Sequence, residues 1–593
     1  FVMPSQPIPT FNPAHFIQTS IEMTERIHTY GCKIFLQMTF GFGRVVHPGT
    51  ALKTPVSPSP VPNFWDPSIM CRELSTEEIE YLINQFAKAA VIARESGFDG
   101  IEVHAVHEGY LLDQFTLPIF NQRTDKYGGS PENLLRAPIE LIQQTKALAG
   151  VDFPVMLRYG LKSYMKGFHQ GILPGEEVVE IGRDTTEGLA IAPLLEKAGY
   201  DAFNADGGVY DSWYWAHPPM YMQEGTYLHL TRELKKVVAV PVIAAGKLGN
   251  PDLAEKALQE QWVDGISLGR PLLADPQWAK KVRSRQTDRI RPCIGCHEAC
   301  LKRIARCKPL SCAVNPVTGR ETEYAFKKTD DPKSVYIIGG GISGMEAARI
   351  SALRGHKVSL YESTGALGGH VLEGSRTDFK EDDRRLLEWY EREMDILKIE
   401  VTMGVTADAS FVRSLKPDIL FIATGSKPVI PPIPGMNTGE ERVFTTRQAL
   451  LGDKTVGEKV IIIGGGLVGC EMAYWLSGTG RQVTLLEKLP ALMTLGDVPY
   501  PNKMMLLELL EQKKISAFTN VSVKAFFSEG VRLEDGRDFQ ADSIILATGY
   551  RPENSLYKEL YPSLNNMYLI GDALQSINIK HAIWSAYEVA SGV

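Results

Sequence analysis

The sequence predicts an α/β protein in which a (β/α)8 TIM barrel is followed by tandem Rossmann-like domains. Three observations predict it. Strand-like runs alternate with amphipathic helical stretches from residue 33 to 290, and glycine-rich strand-to-helix turns stand at 339–344 and again at 464–469.

A chain of 593 residues is too long for one core. Its composition, 44% hydrophobic and 22% charged, is that of a globular protein. No apolar run approaches the ~18 residues of a membrane span. The formal charge of −7 offers no basic surface, so neither nucleic acid nor a membrane is an expected partner. No signal-like segment is present, and the eight cysteines are too unevenly placed for a secreted disulfide framework. The expected setting is reducing and cytoplasmic. A homo-oligomer is left open.

The barrel strands read as "KIFLQM" (33–38), "GIEVHAV" (100–106), "FPVMLRYG" (153–160), "AFNADGG" (202–208), "VPVIAAGK" (240–247) and "DGISLGR" (264–270). Helical stretches such as "TEEIEYLINQFAKAAVIARESG" separate them. The helical stretch at 14–30 precedes the first strand. Six strands leave the barrel about two short, and Phe1 is not a natural start, so the missing strands are expected upstream.

Next, "SVYIIGGGISGMEAARISALRGHKVSLYES" reads as strand, tight turn, helix and strand. Gly339, Gly341 and Gly344 fit G-x-G-x-x-G, and Glu362 follows at the distance of a ribose-binding acid. Such glycines let backbone approach a pyrophosphate at a helix N-terminus. A lone glycine turn also has structural uses, but here the whole βαβ context agrees. The pattern recurs with Gly464, Gly466, Gly469 and Glu487, each copy is followed by an "ATG", and "MYLIGDA" supplies Gly571 and Asp572.

Residues 331–593 thus resemble the flavoprotein disulfide-reductase-like module. The resemblance implies FAD on the first unit, nicotinamide on the second, and Gly571 with Asp572 on the FAD ribityl chain. Glu487 should repel a 2′-phosphate, favouring NADH over NADPH, although Lys488 and Arg481 lie near it in sequence. The redox-active C-x4-C of that family is absent from this module, whose single cysteine is Cys470. Dithiol chemistry is therefore not expected, and electrons must leave FAD another way.

Between the halves, Cys293, Cys296, Cys300 and Cys312 give C-x2-C-x3-C-x11-C. Three thiolates in a tight loop plus a distant fourth suit a [4Fe-4S] cluster. Zinc is the rival, although its structural sites more often show paired C-x2-C knuckles. Cys307 competes with Cys312 for the fourth place. Cys32, Cys71 and Cys470 read as ordinary small buried residues.

A barrel, "CIGCHEAC…CAVNP" and an FAD/NAD module together resemble the 2-enoate reductase and 2,4-dienoyl-CoA reductase branch of the old yellow enzyme superfamily. "DQFTLPIFNQRTDKYGGSPENLLR" (113–136) and "DGISLGRPLLADP" resemble its signature segments, and the likeness covers essentially the whole chain. It selects Cys312 as fourth ligand and implies FMN in the barrel. Gln37 is similar to the glutamine at the flavin pyrimidine edge and Arg158 to the arginine near flavin N1. Gly246, Gly269 and Arg270 are similar to the phosphate-binding positions. "EVHAVHEGYLLDQF" resembles H-x-x-[HN]-G-Y, which implies Tyr110 as proton donor and His104 with His107 as carbonyl binders. Glu108 is one residue more than that pattern holds, a change expected to rotate His107 or Tyr110. His217, in the aromatic "YDSWYWAHPPMY" (210–221), lies where dienoyl-CoA reductases carry an assisting histidine.

The expected domains are an FMN barrel at 1–290, a cluster segment at 291–330, an FAD domain at 331–445 with 555–593, and an NAD(H) domain at 446–554. The expected enzyme is an oxygen-sensitive, anaerobic NADH-dependent ene-reductase acting on an activated C=C bond of a small unsaturated carboxylate or enone. Electrons would pass from NADH to FAD, to the cluster, to FMN and to substrate. Alternatives are a dienoyl-CoA reductase, a trimethylamine-dehydrogenase-like amine oxidation, and a non-catalytic electron-transfer subunit lacking FMN.

Overall fold

A computed structural model describes residues 12–50, 54–436, 441–561 and 563–593. The chain forms two compact units. One comprises the residues up to Pro218 with Met222–Gly269, and the other Pro219–Tyr221 with Arg270–Val593.

The first unit opens with helix α1 (Pro13–His28) and strand β1 (Phe35–Thr39). Helix α2 (Thr76–Glu95) follows, started by Ser75, whose side chain accepts from the Glu78 amide while the Glu78 carboxylate accepts from the Ser75 amide. Its buried Ile79, Ile83, Phe86, Ala87 and Ala90 recur at helical spacing. Then come β2 (Gly100–Val106), helix α3 (Leu111–Thr116), β3 (Val155–Gly160), β4 (Ala202–Asp206), β5 (Val242–Ala244) and β6 (Gly265–Ile266). All six strands are parallel and lie side by side in sequence order, as (β/α) units require.

Register sets what the strand ends can do. Gln37 pairs with Glu102, His104 with Arg158, and Gly160 with Asp206. A bulge between His104 and Val106 interrupts the β2–β3 ladder and re-aims the chain leaving β2.

The loop after β4 is anchored by a buried ion pair, Arg44 Nη1 to Asp211 Oδ2 at 2.6 Å. The guanidinium also lies over the rings of Phe64, Phe120 and Phe168.

In the second unit, helix α4 (Leu301–Ala305) belongs to the cysteine segment. Beyond it run β7 (Ser334–Ile338), α5 (Ile342–Arg354), β8 (Lys357–Tyr361), β9 (Glu400–Thr402) and β10 (Ile419–Ile422). They are followed by β11 (Val443–Thr445), β12 (Lys459–Ile463), α6 (Leu467–Gly478), β13 (Gln482–Leu486) and α7 (Tyr500–Gln512). The remaining strands of the two sheets are β14 (Ser516–Phe518), β15 (Ser543–Leu546) and β16 (Met567–Leu569). They build two five-stranded parallel sheets, ordered β9-β8-β7-β10-β16 and β11-β15-β12-β13-β14. The two turns are built alike: a side chain on Gly344 would strike the Gly339 carbonyl, and one on Gly469 the Gly464 carbonyl. Only glycine lets helix and strand approach so closely.

Among the described residues no helix is long and apolar enough to cross a membrane. Cys71 and Cys470 are buried as expected, but Cys32 is exposed. It lies in the turn between α1 and β1, after Gly31 at φ +71°, and so never enters the core.

Replacing Asp211 with alanine leaves Arg44 buried and uncompensated. The expected cost is roughly 3–5 kcal/mol. It is read as a lowered first-unit melting transition that Arg44→Met/Asp211→Ala partly restores.

Candidate active site and cofactor centres

The ends of β2, β3 and β4 bring a charged cluster together in the first unit. His107 Nδ1 lies 2.9 Å from Asp206 Oδ1, and its Nε2 lies 3.3 Å from Glu108 Oε2. Asp206 Oδ2 in turn pairs with Arg158 at 2.5 Å, and Glu108 Oε1 with His217 Nε2 at 2.7 Å. Trp213 Nε1 donates to the same Glu108 oxygen at 3.0 Å. His107, Glu108 and Asp206 are all buried.

Burial alone would neutralise His107, but Asp206 and Glu108 raise its pKa to about 9. Burial, together with the charge of His107, drives His104 down to about 3. Glu108 stays ionised against its burial because His217 and His107 face it. Burial, then the Glu108 charge, pushes the Tyr110 phenol well above its ordinary value, so it stays protonated.

The rings of His104, His107 and Tyr110 converge, with centroids 4.7 Å apart for His104–Tyr110, 5.0 Å for His104–His107 and 6.2 Å for His107–Tyr110. The extra Glu108 is absorbed by left-handed backbone at Glu108 (φ +60°) and Gly109 (φ +72°) and does not drive these rings apart. It does place a carboxylate inside the site. Both ring nitrogens of His107 are engaged within the protein.

Tyr110 also joins an aromatic cluster. Its ring lies 5.2 Å from Phe42 and 5.9 Å from Tyr210. Tyr210 stacks on Trp213 at 4.6 Å, and both face Phe64 and Trp65 edge-on. Phe42 and Trp65 remain partly open to solvent.

Gln37 Nε2 donates to Glu102 Oε2 at 2.6 Å, and Asn204 donates to the other Glu102 oxygen at 2.7 Å. Gly246 sits at φ +94°, and a side chain at Gly269 would meet nothing within 4 Å, which leaves room beside its backbone.

In the second unit, Glu362 accepts from the Gly340 amide at 2.7 Å and Glu487 from the Gly465 amide at 2.5 Å. A side chain at Gly466 would meet nothing within 4 Å, and one at Gly341 only a single Cα at that limit. Both turns therefore have the open face that a pyrophosphate needs. Gly571 donates to Ser585 Oγ, and Asp572 accepts from Ser426 and Ser576.

Cys293, Cys296, Cys300 and Cys312 line one pocket with Arg270, His297 and apolar side chains. Cys307 is not in that lining and stands in left-handed backbone, φ +56°. Burial, then the neighbouring thiols, pushes Cys296 well up and Cys312 to about 12. Such thiols ionise readily only with a cation among them, so this donor set fits a thiolate-bound cluster.

Sequence reasoning missed Asp206, Tyr210 as an individual contact, and Phe64 with Trp65. An acid closing the apolar run "AFNAD" was the available signal for Asp206; the rest depends on contacts distant in sequence.

Residues 6–289 match the family described as NADH:flavin oxidoreductase / NADH oxidase, and residues 333–592 match pyridine nucleotide-disulphide oxidoreductase. These families imply FMN for the barrel and FAD with NADH for the second unit. The cinnamate reductase of Clostridium sporogenes is 47% identical over 100% of this chain and 89% of its own length. The NADH oxidase of Thermoanaerobacter brockii is 38% identical over 96% of this chain and 86% of its own. A solved 2-naphthoyl-CoA reductase superposes with a TM-score of 0.88 at 29% identity, covering 97% of this chain and 87% of that one.

Cys312→Ser should lower iron and acid-labile sulfide per chain, whereas Cys307→Ser should leave both unchanged. The His107 pKa, raised from 6.5 to about 9, means its charged form stabilises the fold fully below pH 6.5. That contribution disappears as pH rises through about 9. Melting curves across this range should fall for the natural protein and be flatter for His107→Gln.

Proposed function

Since the chain belongs to the NADH:flavin oxidoreductase / NADH oxidase family, we propose that it reduces the activated C=C bond of an aryl-substituted α,β-unsaturated carboxylate with NADH. The observation that carries this reading is the convergence of His104, His107 and Tyr110 beside an aromatic cluster whose Phe42 and Trp65 are partly open to solvent. The cinnamate reductase relative supports the same substrate class.

When bound, NADH, FAD, a [4Fe-4S] cluster and FMN supply the hydride and single-electron chemistry, in the order NADH, FAD, cluster, FMN. Cys293, Cys296, Cys300 and Cys312 would hold the cluster, and the two glycine turns the dinucleotides. Gln37, Arg158, Gly246 and Gly269 would hold the barrel flavin.

The protein's own part is binding, orientation and one proton. Phe42, Trp65 and Tyr210 offer aromatic surface for the aryl ring. His104, neutral, donates an N–H to the substrate carboxylate. His107 is kept cationic by Asp206 and Glu108, and so adds fixed positive charge where the enolate develops. Tyr110 gives its phenolic proton to the α carbon as the β carbon receives hydride. His217, paired with Glu108, helps hold that carboxylate in place. Arg481 donates to the Val456 and Gly457 carbonyls, which leaves Glu487 to discriminate against a 2′-phosphate and favours NADH.

Anaerobic protein reduced by NADH should be reoxidised rapidly by cinnamate. Tyr110→Phe should slow reoxidation about 10²- to 10⁴-fold without slowing reduction by NADH. Reduction by NADH with no reoxidation by cinnamate, an enone or a dienoyl-CoA would overturn the reading.

A further inference from the structure

The cysteine loop is gripped from the nicotinamide half of its own unit. Arg270 Nη1 lies 2.8 Å from His297 Nε2. A guanidinium only donates, so Nε2 accepts and Nδ1 carries the ring proton. That N–H meets Asn502 Oδ1 at 2.6 Å, and Asn502 Nδ2 donates to the Gly295 carbonyl at 3.2 Å. His297 and Asn502 are 1% and 3% exposed, so water cannot replace these bonds. Gly295 lies between Cys293 and Cys296, and His297 between Cys296 and Cys300.

Asn502 stands in the first turn of α7, and the segment leading to it starts at the second glycine turn. Glu487 accepts from the amides of Gly465 and Leu489, and Met493 donates its amide to the Gly465 carbonyl at 2.8 Å. Farther along, Asp497 pairs with Lys302 at 3.2 Å and with Arg306, on and just after α4. Met493 (φ +49°) and Asp497 (φ +50°) hold left-handed backbone, which persists only where surrounding contacts over-determine it. One continuous segment thus touches the nicotinamide turn at one end and the cysteine region at two points near the other.

We propose that residues 487–502 couple nicotinamide binding to the cluster, with Asn502 and His297 as positioning residues. The inference rests on the reading of Cys293, Cys296, Cys300 and Cys312 as cluster ligands and of the second glycine turn as the nicotinamide site. Hydrogen bonding and burial around the sulfurs set a cluster's potential. A displaced Asn502 changes the orientation of His297 and the partner of the Gly295 carbonyl together, so nucleotide occupancy reaches the cluster environment without a moving domain.

The test is an anaerobic redox titration of the full-length holoprotein, followed by EPR of the reduced cluster, with and without NAD+. Iron and sulfide are assayed on every sample. In the natural protein, NAD+ should shift the cluster equilibrium about tenfold, which for one electron is about 59 mV. Asn502→Leu should cut the shift below about twofold, under about 18 mV on the same scale, with iron and sulfide retained. Asp497→Asn, at a half-exposed side chain, should weaken it partway. An unchanged shift in either variant overturns the proposal, as does a natural protein whose cluster ignores NAD+. Should Asn502→Leu not fold, Asp497→Asn alone decides. Absence of iron and sulfide from the natural protein refutes the ligand reading itself, and the coupling with it.

Discussion

Asp206 is fully buried between two cations, His107 and Arg158, and the charge state of the barrel site depends on it. The site contains its own control. His104 and His107 leave the same strand end three residues apart, the first half-buried and the second buried; one is driven to about 3 and the other to about 9. Desolvation acts alike on both. The difference comes from the carboxylates of Asp206 and Glu108, which face His107 directly. The site therefore offers a neutral donor and a fixed cation side by side, from one residue type.

A parallel constraint orders the second unit. In each βαβ motif the acid ending the second strand accepts from the amide of the central glycine of the turn: Glu362 from Gly340, Glu487 from Gly465. The carboxylate fixes the turn before any nucleotide arrives, and the missing Cβ at Gly344 and Gly469 lets the helix close on the strand. Binding energy is then not spent on ordering the loop, which is the usual advantage of a preorganised site.

Much of this was legible in the sequence, for identifiable reasons. The six barrel strands each carry several apolar residues set off by helical stretches, a repeat that a linear reading can find. The glycine turns and cysteine spacings are local, and local geometry survives in a linear reading. Asp206 does not: its partner His107 is 99 positions away, and no periodicity signals a buried pair. Arg270 was readable as a cation at a strand end, but its bond to His297 was not. Cys32 shows the opposite error, since a typical cysteine burial preference yielded to its place in a turn.

Glu108 shows how one surplus residue becomes useful. Left-handed backbone at a non-glycine costs about 1–2 kcal/mol. A buried carboxylate costs several more unless it is paired. Against this stand His217 at 2.7 Å, Trp213 at 3.0 Å and His107 at 3.3 Å. Charge-assisted bonds contribute about 1.5–3 kcal/mol each, enough to offset strain and burial together. The bulge in the β2–β3 ladder and the flexible Gly109 take up the added length, so the rings of His104, His107 and Tyr110 still converge. The added residue thus places a carboxylate inside the site, with left-handed backbone at Glu108 and Gly109 beside the converging rings.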